Sequence, residues 1–201
     1  MSDQKLDTQI RREQIAEAAL SLVASRGVGR LSMAAVARRV GLVPSGIYRH
    51  FKGKDEVLDA VLDLIHSRLM ANVEAVRAET SDPMERLRRL LMRHIQFIRQ
   101  GRAIPQILFS EHVHSRRPEK KDRVYRIACD YLGEVARLVG EGQQSGQIRP
   151  ELDPDTVAVM FLGMVVPAGI LWHLTEGRFD VTRHGGRAWE MFRTAILTPA
   201  T

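Results

Sequence analysis

The sequence predicts an all-α protein: an N-terminal three-helix bundle holding a helix-turn-helix, then a larger C-terminal helical domain. Three observations carry this. Apolar residues recur at helical spacing along almost the whole 201-residue chain. Glycine, proline and Asx residues punctuate those stretches, and nothing reads as a strand. Finally, Leu31 to Lys54 reads LSMAAVARRVGLVPSGIYRHFKGK, two short helices joined by a Gly-bearing turn. No internal repeat or low-complexity tract interrupts the pattern. The expected division is 1–54 for the first domain and 55–201 for the second.

The first helix is expected over Thr8–Arg26, where Ile10, Ile15, Ala18, Ala19, Leu22 and Val23 form a stripe that ends near Gly27. The polar residues 1–7 should fray. At the start of this helix, Arg11 and Arg12 either face water or reach a phosphate. Ser32 then suits the N-cap of a second helix with Met33, Val36, Ala37 and Val40 on one face. Gly41 ends it, because a residue without a Cβ enters the left-handed region cheaply. Pro44 is expected to open a third helix, where its missing N–H costs nothing. Ile47 and Phe51, one turn apart, share its inward face.

What faces outward gives this motif a chemistry. Tyr48, Arg49, His50, Lys52 and Lys54 fall within seven residues, and their side chains are the usual donors to phosphate oxygens. Pro44, Ser45 and Gly46 are small enough to let the helix start sink into a major groove. A basic exposed helix alone would be only a solvated face; the turn, the spacing and the basic exit together point to DNA.

These residues resemble the N-terminal DNA-binding domain of TetR/AcrR-type transcriptional regulators. The marks are Gly41 after helix two, Tyr48-x-x-Phe51 in helix three and Lys54 three residues later, followed by an acid-led amphipathic helix. The likeness covers about the first quarter of the chain. The family commonly has Ser or Thr where this chain has Val43; valine is a poor N-cap, but its methyl groups could meet a thymine methyl. The expected DNA-facing set is Ser32, Val43, Pro44, Ser45, Gly46, Tyr48, Arg49, His50 and Lys54, and the expected partner is double-stranded operator DNA.

Beyond Gly53, Asp55 and Glu56 lie in the first turn of a long helix, the favourable end for negative charge. Its stripe runs from Val57 to Val76. Ser81-Asp82-Pro83 reads as a stop and restart; the next helix carries Leu87, Leu90, Leu91, His94, Ile95 and Ile98. Pro105 precedes a shorter apolar helix over 104–114. A basic loop, Ser115 to Pro118, leads to a helix with Val124, Ile127, Ala128, Tyr131, Leu132, Val135, Leu138 and Val139, which is expected to give way to a Gly-rich loop over Gly140–Gly146. Thr156–Thr175 has no Asp, Glu, Lys or Arg and is long enough to span a membrane, although Gly163, Pro167, Gly169 and His173 interrupt it. Burial between protein partners fits such a helix equally, and it is the reading adopted, with no membrane partner. A last helix over Arg183–Leu197 presents Trp189, Phe192, Ile196 and Leu197.

The net charge of +6 suits a polyanion partner without requiring one. The single Cys129 forms no intramolecular disulfide, and the polar N-terminus has no apolar signal core, which together favour a cytoplasmic setting. Cys129 itself is expected to be a small core residue. No nucleophile elbow, Walker loop or dinucleotide fingerprint is present, so no enzyme activity, catalytic residue or cofactor is expected. His112 and His114 would point about 200° apart on a helix, so no metal site is assigned.

The resemblance implies more than the residues do. It implies a homodimer built on the last two helices as a four-helix bundle, with Leu162, Val166, Ile170, Trp189, Phe192 and Ile196 as interface candidates. It also implies a small-molecule inducer held among the middle helices, with Phe97, Ile107, Phe109, His112, Tyr125, Cys129 and Met164 as candidates by location. The function expected is a ligand-responsive transcriptional regulator, of the repressor kind. The alternative is a helical small-molecule-binding protein or enzyme whose helix-turn-helix is vestigial.

Overall fold

A computed structural model describes the backbone of residues 2–99 and 118–199 and the side chains of 8–99 and 119–199. The expected helix over 104–114, with Ile107, Phe109 and His112, lies outside the described residues. Within them run seven α-helices: α1 (Ser2–Arg26), α2 (Met33–Arg39), α3 (Lys54–Glu79), α4 (Pro83–Arg99), α5 (Pro118–Gln144), α6 (Pro154–Leu174) and α7 (Val181–Ile196). Short 3-10 turns stand at Val28–Arg30 and Gly46–Arg49. Among the described residues, extended pairing is confined to one isolated bridge between Ile148 and Leu197.

Several boundaries differ from expectation. Helix α1 begins at Ser2 rather than near Thr8. The expected Gly-rich loop is helical as far as Gln144; Gly140 and Gly142 are carried as part of α5, whose Leu138 and Val139 are fully buried. Asp153 and Asp180 cap α6 and α7, their carboxylates accepting the N–H of Thr156 at 2.8 Å and of Arg183 at 3.0 Å. Nor does Pro167 break α6. Its ring meets the carbonyl four residues back, which belongs to Gly163, and both residues are exposed.

The chain divides into two compact units: one runs to Arg68 and resumes up to Val124, the other starts at Leu69 and resumes at Tyr125. In the first, α1 packs on α2 and α2 on the Gly46–Arg49 turn. Ile15, Ala19, Val23, Val36, Ala37, Ile47 and Phe51 are all within a few per cent of complete burial. Lys120 of α5 is also buried, its Nζ 2.9 Å from the Asp55 carboxylate.

In the second unit α4, α6 and α7 pack on one another. Phe161 of α6 meets Phe192 of α7 edge-on at 5.9 Å between ring centroids, and Trp189 stacks beside Phe192. This corrects the interface expectation. Trp189, Phe192 and Ile196 are buried inside their own subunit, because α7 turns its single aromatic face onto α4 and α6. Leu162 and Val166 are half-buried; Ile170 is exposed. The open apolar side of α6 holds the expected Ile170 together with Val159, Met160, Leu171 and Leu174. By length and composition α6 could cross a membrane. Here Phe161, Val165 and Ala168 form part of the protein core.

Candidate nucleic-acid interface

The motif is held by ordinary local rules. Ser32 Oγ accepts the N–H of Ala35 at 3.2 Å and starts α2. Gly41, at φ 71°, stops it. There the Leu42 N–H donates to the Ala37 carbonyl at 2.9 Å and the Gly41 N–H to Arg38 at 3.3 Å, the paired bonds of a Schellman C-cap.

The expected third helix is a 3-10 turn over Gly46–Arg49, and Pro44 stands before it rather than at its first position. Ser45, Gly46, Ile47 and Tyr48 are weak helix formers, and so short a segment cannot offset the cost of starting an α-helix. Its i to i+3 bonds run from the Gly46 N–H to Val43 at 2.8 Å and from the His50 N–H to Ile47 at 3.0 Å. Two fully buried side chains, Ile47 and Phe51, anchor it.

With those anchors inside, Val43 and Tyr48 stand 67% and 57% exposed. Ser32, Pro44, Ser45, Arg49 and Lys52 are exposed as well. Gly46, His50 and Lys54 are half-buried, and the Nδ1 of His50 is shut off from solvent. The expected set is therefore graded: Val43, Pro44, Ser45, Tyr48 and Arg49 lie open along one segment, while His50 is turned partly into the bundle.

Arg12 is half-buried, and its guanidinium is engaged within the bundle. Its guanidinium lies 4.1 Å from the ring centroid of Phe51, donates from Nη1 to the His50 carbonyl, and reaches Glu56 Oε1 from both terminal nitrogens at 3.3 Å. The other carboxylate oxygen of Glu56 accepts the Lys52 N–H at 2.7 Å. That hydrogen bond, with Arg12 beside it, lowers the Glu56 carboxyl below its ordinary value. The pairing was hidden from the sequence because 44 residues separate its ends; only Glu56, in the first turn of α3 like the acid of a capping box, gave a signal.

The ligand expectations fare less evenly. Phe97 and Met164 are half-buried. Tyr125 is 70% exposed and Cys129 is exposed too, so neither walls an enclosed cavity, and Cys129 is not the core residue expected. They sit one turn apart on the face of α5 that turns away from Ile127, Tyr131 and Val135. The second unit has an open depression of about 370 Å³ bordered by Arg88, Trp189 and Arg193; none of the expected ligand residues lines it. Among the described residues no group of His, Cys, Asp or Glu could hold a metal ion.

A helix-turn-helix with its reading segment exposed, attached to a helical second unit, defines a DNA-binding transcriptional regulator. Comparison with known proteins gives the family. The model for "Bacterial regulatory proteins, tetR family" matches residues 15–61, and that for "Tetracyclin repressor-like, C-terminal domain" matches 80–196. The chain belongs to the TetR family of bacterial regulatory proteins. It is 25% identical over 188 residues to the nucleoid occlusion factor SlmA of Vibrio atlanticus (strain LGP32), covering 92% of this chain and 95% of that protein. It is 21% identical to the fatty acid metabolism regulator protein of Bacillus subtilis (strain 168), covering 91% and 94%. In fold it is similar to the fatty acid degradation regulator FadR from Bacillus halodurans, with a TM-score of 0.77, 21% identity and coverage of 90% and 94%.

Proposed function

We propose that this chain is a homodimeric, cytoplasmic repressor. It reads an inverted repeat through residues 43–54 of each subunit and leaves the operator when a small molecule occupies the C-terminal helices. The observation that carries the reading is the exposure of Val43, Pro44, Ser45, Tyr48 and Arg49 beside buried Ile47 and Phe51. Arg49 and Tyr48 would hold phosphate oxygens, while Val43, Pro44 and Ser45 approach base edges. Two such segments would enter successive major grooves about 34 Å apart.

The domain division at residue 54 belongs to this proposal. Residues 1–54 bind DNA; 55–201 bind inducer and partner subunit. The dimer surface is drawn on α6, from Ile170 with Val159, Met160, Leu171 and Leu174, and on the outward side of α7 around Met191, which is 76% exposed. Apolar side chains left open on a terminal helix fit an interface better than water. The inducer acts only through its preference for the conformation that misplaces the reading segments. Phe97 and Met164, both half-buried, are its proposed contacts in this scheme.

Tyr48→Ala and Arg49→Ala test the reading. Each should weaken binding to every duplex and lessen the slope of log affinity against log salt by roughly 0.9 for each phosphate no longer held. Unchanged affinity in both variants would remove residues 43–54 from the interface.

A further inference from the structure

Arg12 sits where three segments of the first unit meet. It stacks on Phe51, which anchors the reading segment, and takes the carbonyl of His50 at the end of that segment. It also holds Glu56 in the first turn of α3, and Glu56 in turn holds the Lys52 N–H. The guanidinium thus ties α1, the end of the reading segment and the start of α3 together through one planar group. Only an arginine has the forked donors and the flat face for all these interactions at once.

We infer that Arg12 is a positioning residue for operator recognition. It fixes where residues 46–52 emerge from the bundle without touching DNA, and Glu56 is its partner in that task. The inference rests on the reading of residues 43–54 as the DNA edge. A 3-10 turn of four residues has little rigidity of its own. Ile47 and Phe51 fix its depth in the core, whereas the Arg12 and Glu56 bonds are what fix its exit, from His50 to Lys52. A phosphate contact and a positioning residue differ in what they serve. The first adds affinity to any duplex; the second serves only the duplex whose base edges must be met at the right place.

The test uses the full-length chain, the inverted repeat that it selects from a random duplex library, and a scrambled duplex of the same length. Arg12→Gln and Glu56→Gln are compared with Tyr48→Ala over a range of salt, at a temperature where circular dichroism shows each variant folded. Either glutamine variant should bind the selected repeat roughly tenfold more weakly, the size of one or two missing charge-assisted hydrogen bonds. The scrambled duplex and the salt slope should stay unchanged, and Arg12→Lys should not restore specificity. If Arg12→Gln lowers both affinities together and reduces the slope by about 0.9, Arg12 is a phosphate contact and the inference falls. An unchanged specificity ratio in Glu56→Gln also overturns it, and this variant decides the matter should Arg12→Gln fail to fold. Were Tyr48→Ala silent as well, or no repeat selected, the DNA edge itself would be wrong; a silent Glu56→Gln beside a weakened Tyr48→Ala fails the positioning role alone.

Discussion

His94 and Tyr131 share a hydrogen bond inside the second unit, their rings edge to face at 5.2 Å. Both are almost wholly buried. Burial makes the charged imidazole costly and pushes the His94 pKa down to about 4 from an ordinary 6.5, and it raises that of the Tyr131 phenol. The sign of the pH effect follows. Between these two His94 values the unfolded chain holds a proton that the folded chain refuses, so stability falls as pH drops from 6.5 to 4 and is unaffected by this group above 6.5. The loss should reach roughly 3 kcal/mol. Denaturant unfolding at about pH 7.5 and about pH 4.5, on either side of most of that titration, would measure it, and His94→Gln should flatten the difference between the two. Tyr131→Phe should cost roughly 1 to 3 kcal/mol at neutral pH by leaving a buried ring nitrogen without its partner, visible as a lower thermal midpoint. Neither effect was foreseeable from sequence: periodicity gave both residues an inward side, but not each other.

Helix α7 owes its close approach to α4 to one small residue. A Cβ on Gly185 of α7 would stand 2.7 Å from Cγ1 of Ile95 on α4. Gly185→Ala should therefore lower stability by about 1 to 3 kcal/mol, and Ile95→Val in the same chain should recover part of it; a neutral Gly185→Ala in thermal unfolding would mean that α7 can shift freely. Most of these elements were legible as stripes at helical spacing, with Asp82 at the start of one; the caps Asp153 and Asp180 came from the structure. What was not legible has physical reasons. Trp189, Phe192 and Ile196 announced a buried face without saying what buries it, and the covering helices came from the same chain. Helix α6 is apolar nearly all round, so no stripe marks which side faces in. Tyr125 and Cys129 are candidates by location in the chain, but their four-residue spacing sets them on a line apart from Ile127 and Tyr131. Pro44 is a good first helical residue, but the weak formers after it allow only a 3-10 turn.

At the scale of the whole molecule, the proposed role requires two copies of the chain to pair. A single reading segment meets too few bases for a specific site, whereas two on one face of the duplex meet an inverted repeat. Ile170→Asp with Leu171→Asp, on the open side of α6, should yield a folded monomer by sedimentation and abolish operator binding while sparing weak binding to any duplex. A dimer that survives both charges would move the interface elsewhere. In the N-terminal domain the cap at Ser32, the stop at Gly41 and the anchors Ile47 and Phe51 were legible in the sequence, whereas the 3-10 form of Gly46–Arg49 was not. The Arg12 tie was beyond its reach, since contacts between distant residues leave no local pattern. The most direct measurement is selection of bound duplexes from a random library by the full chain, repeated at stepped salt. A dimeric repressor that reads DNA through residues 43–54 should recover an inverted repeat, with affinity that falls steeply as salt rises. Recovery of no common sequence at any salt, from protein shown to be dimeric and free of bound small molecule, would contradict that role.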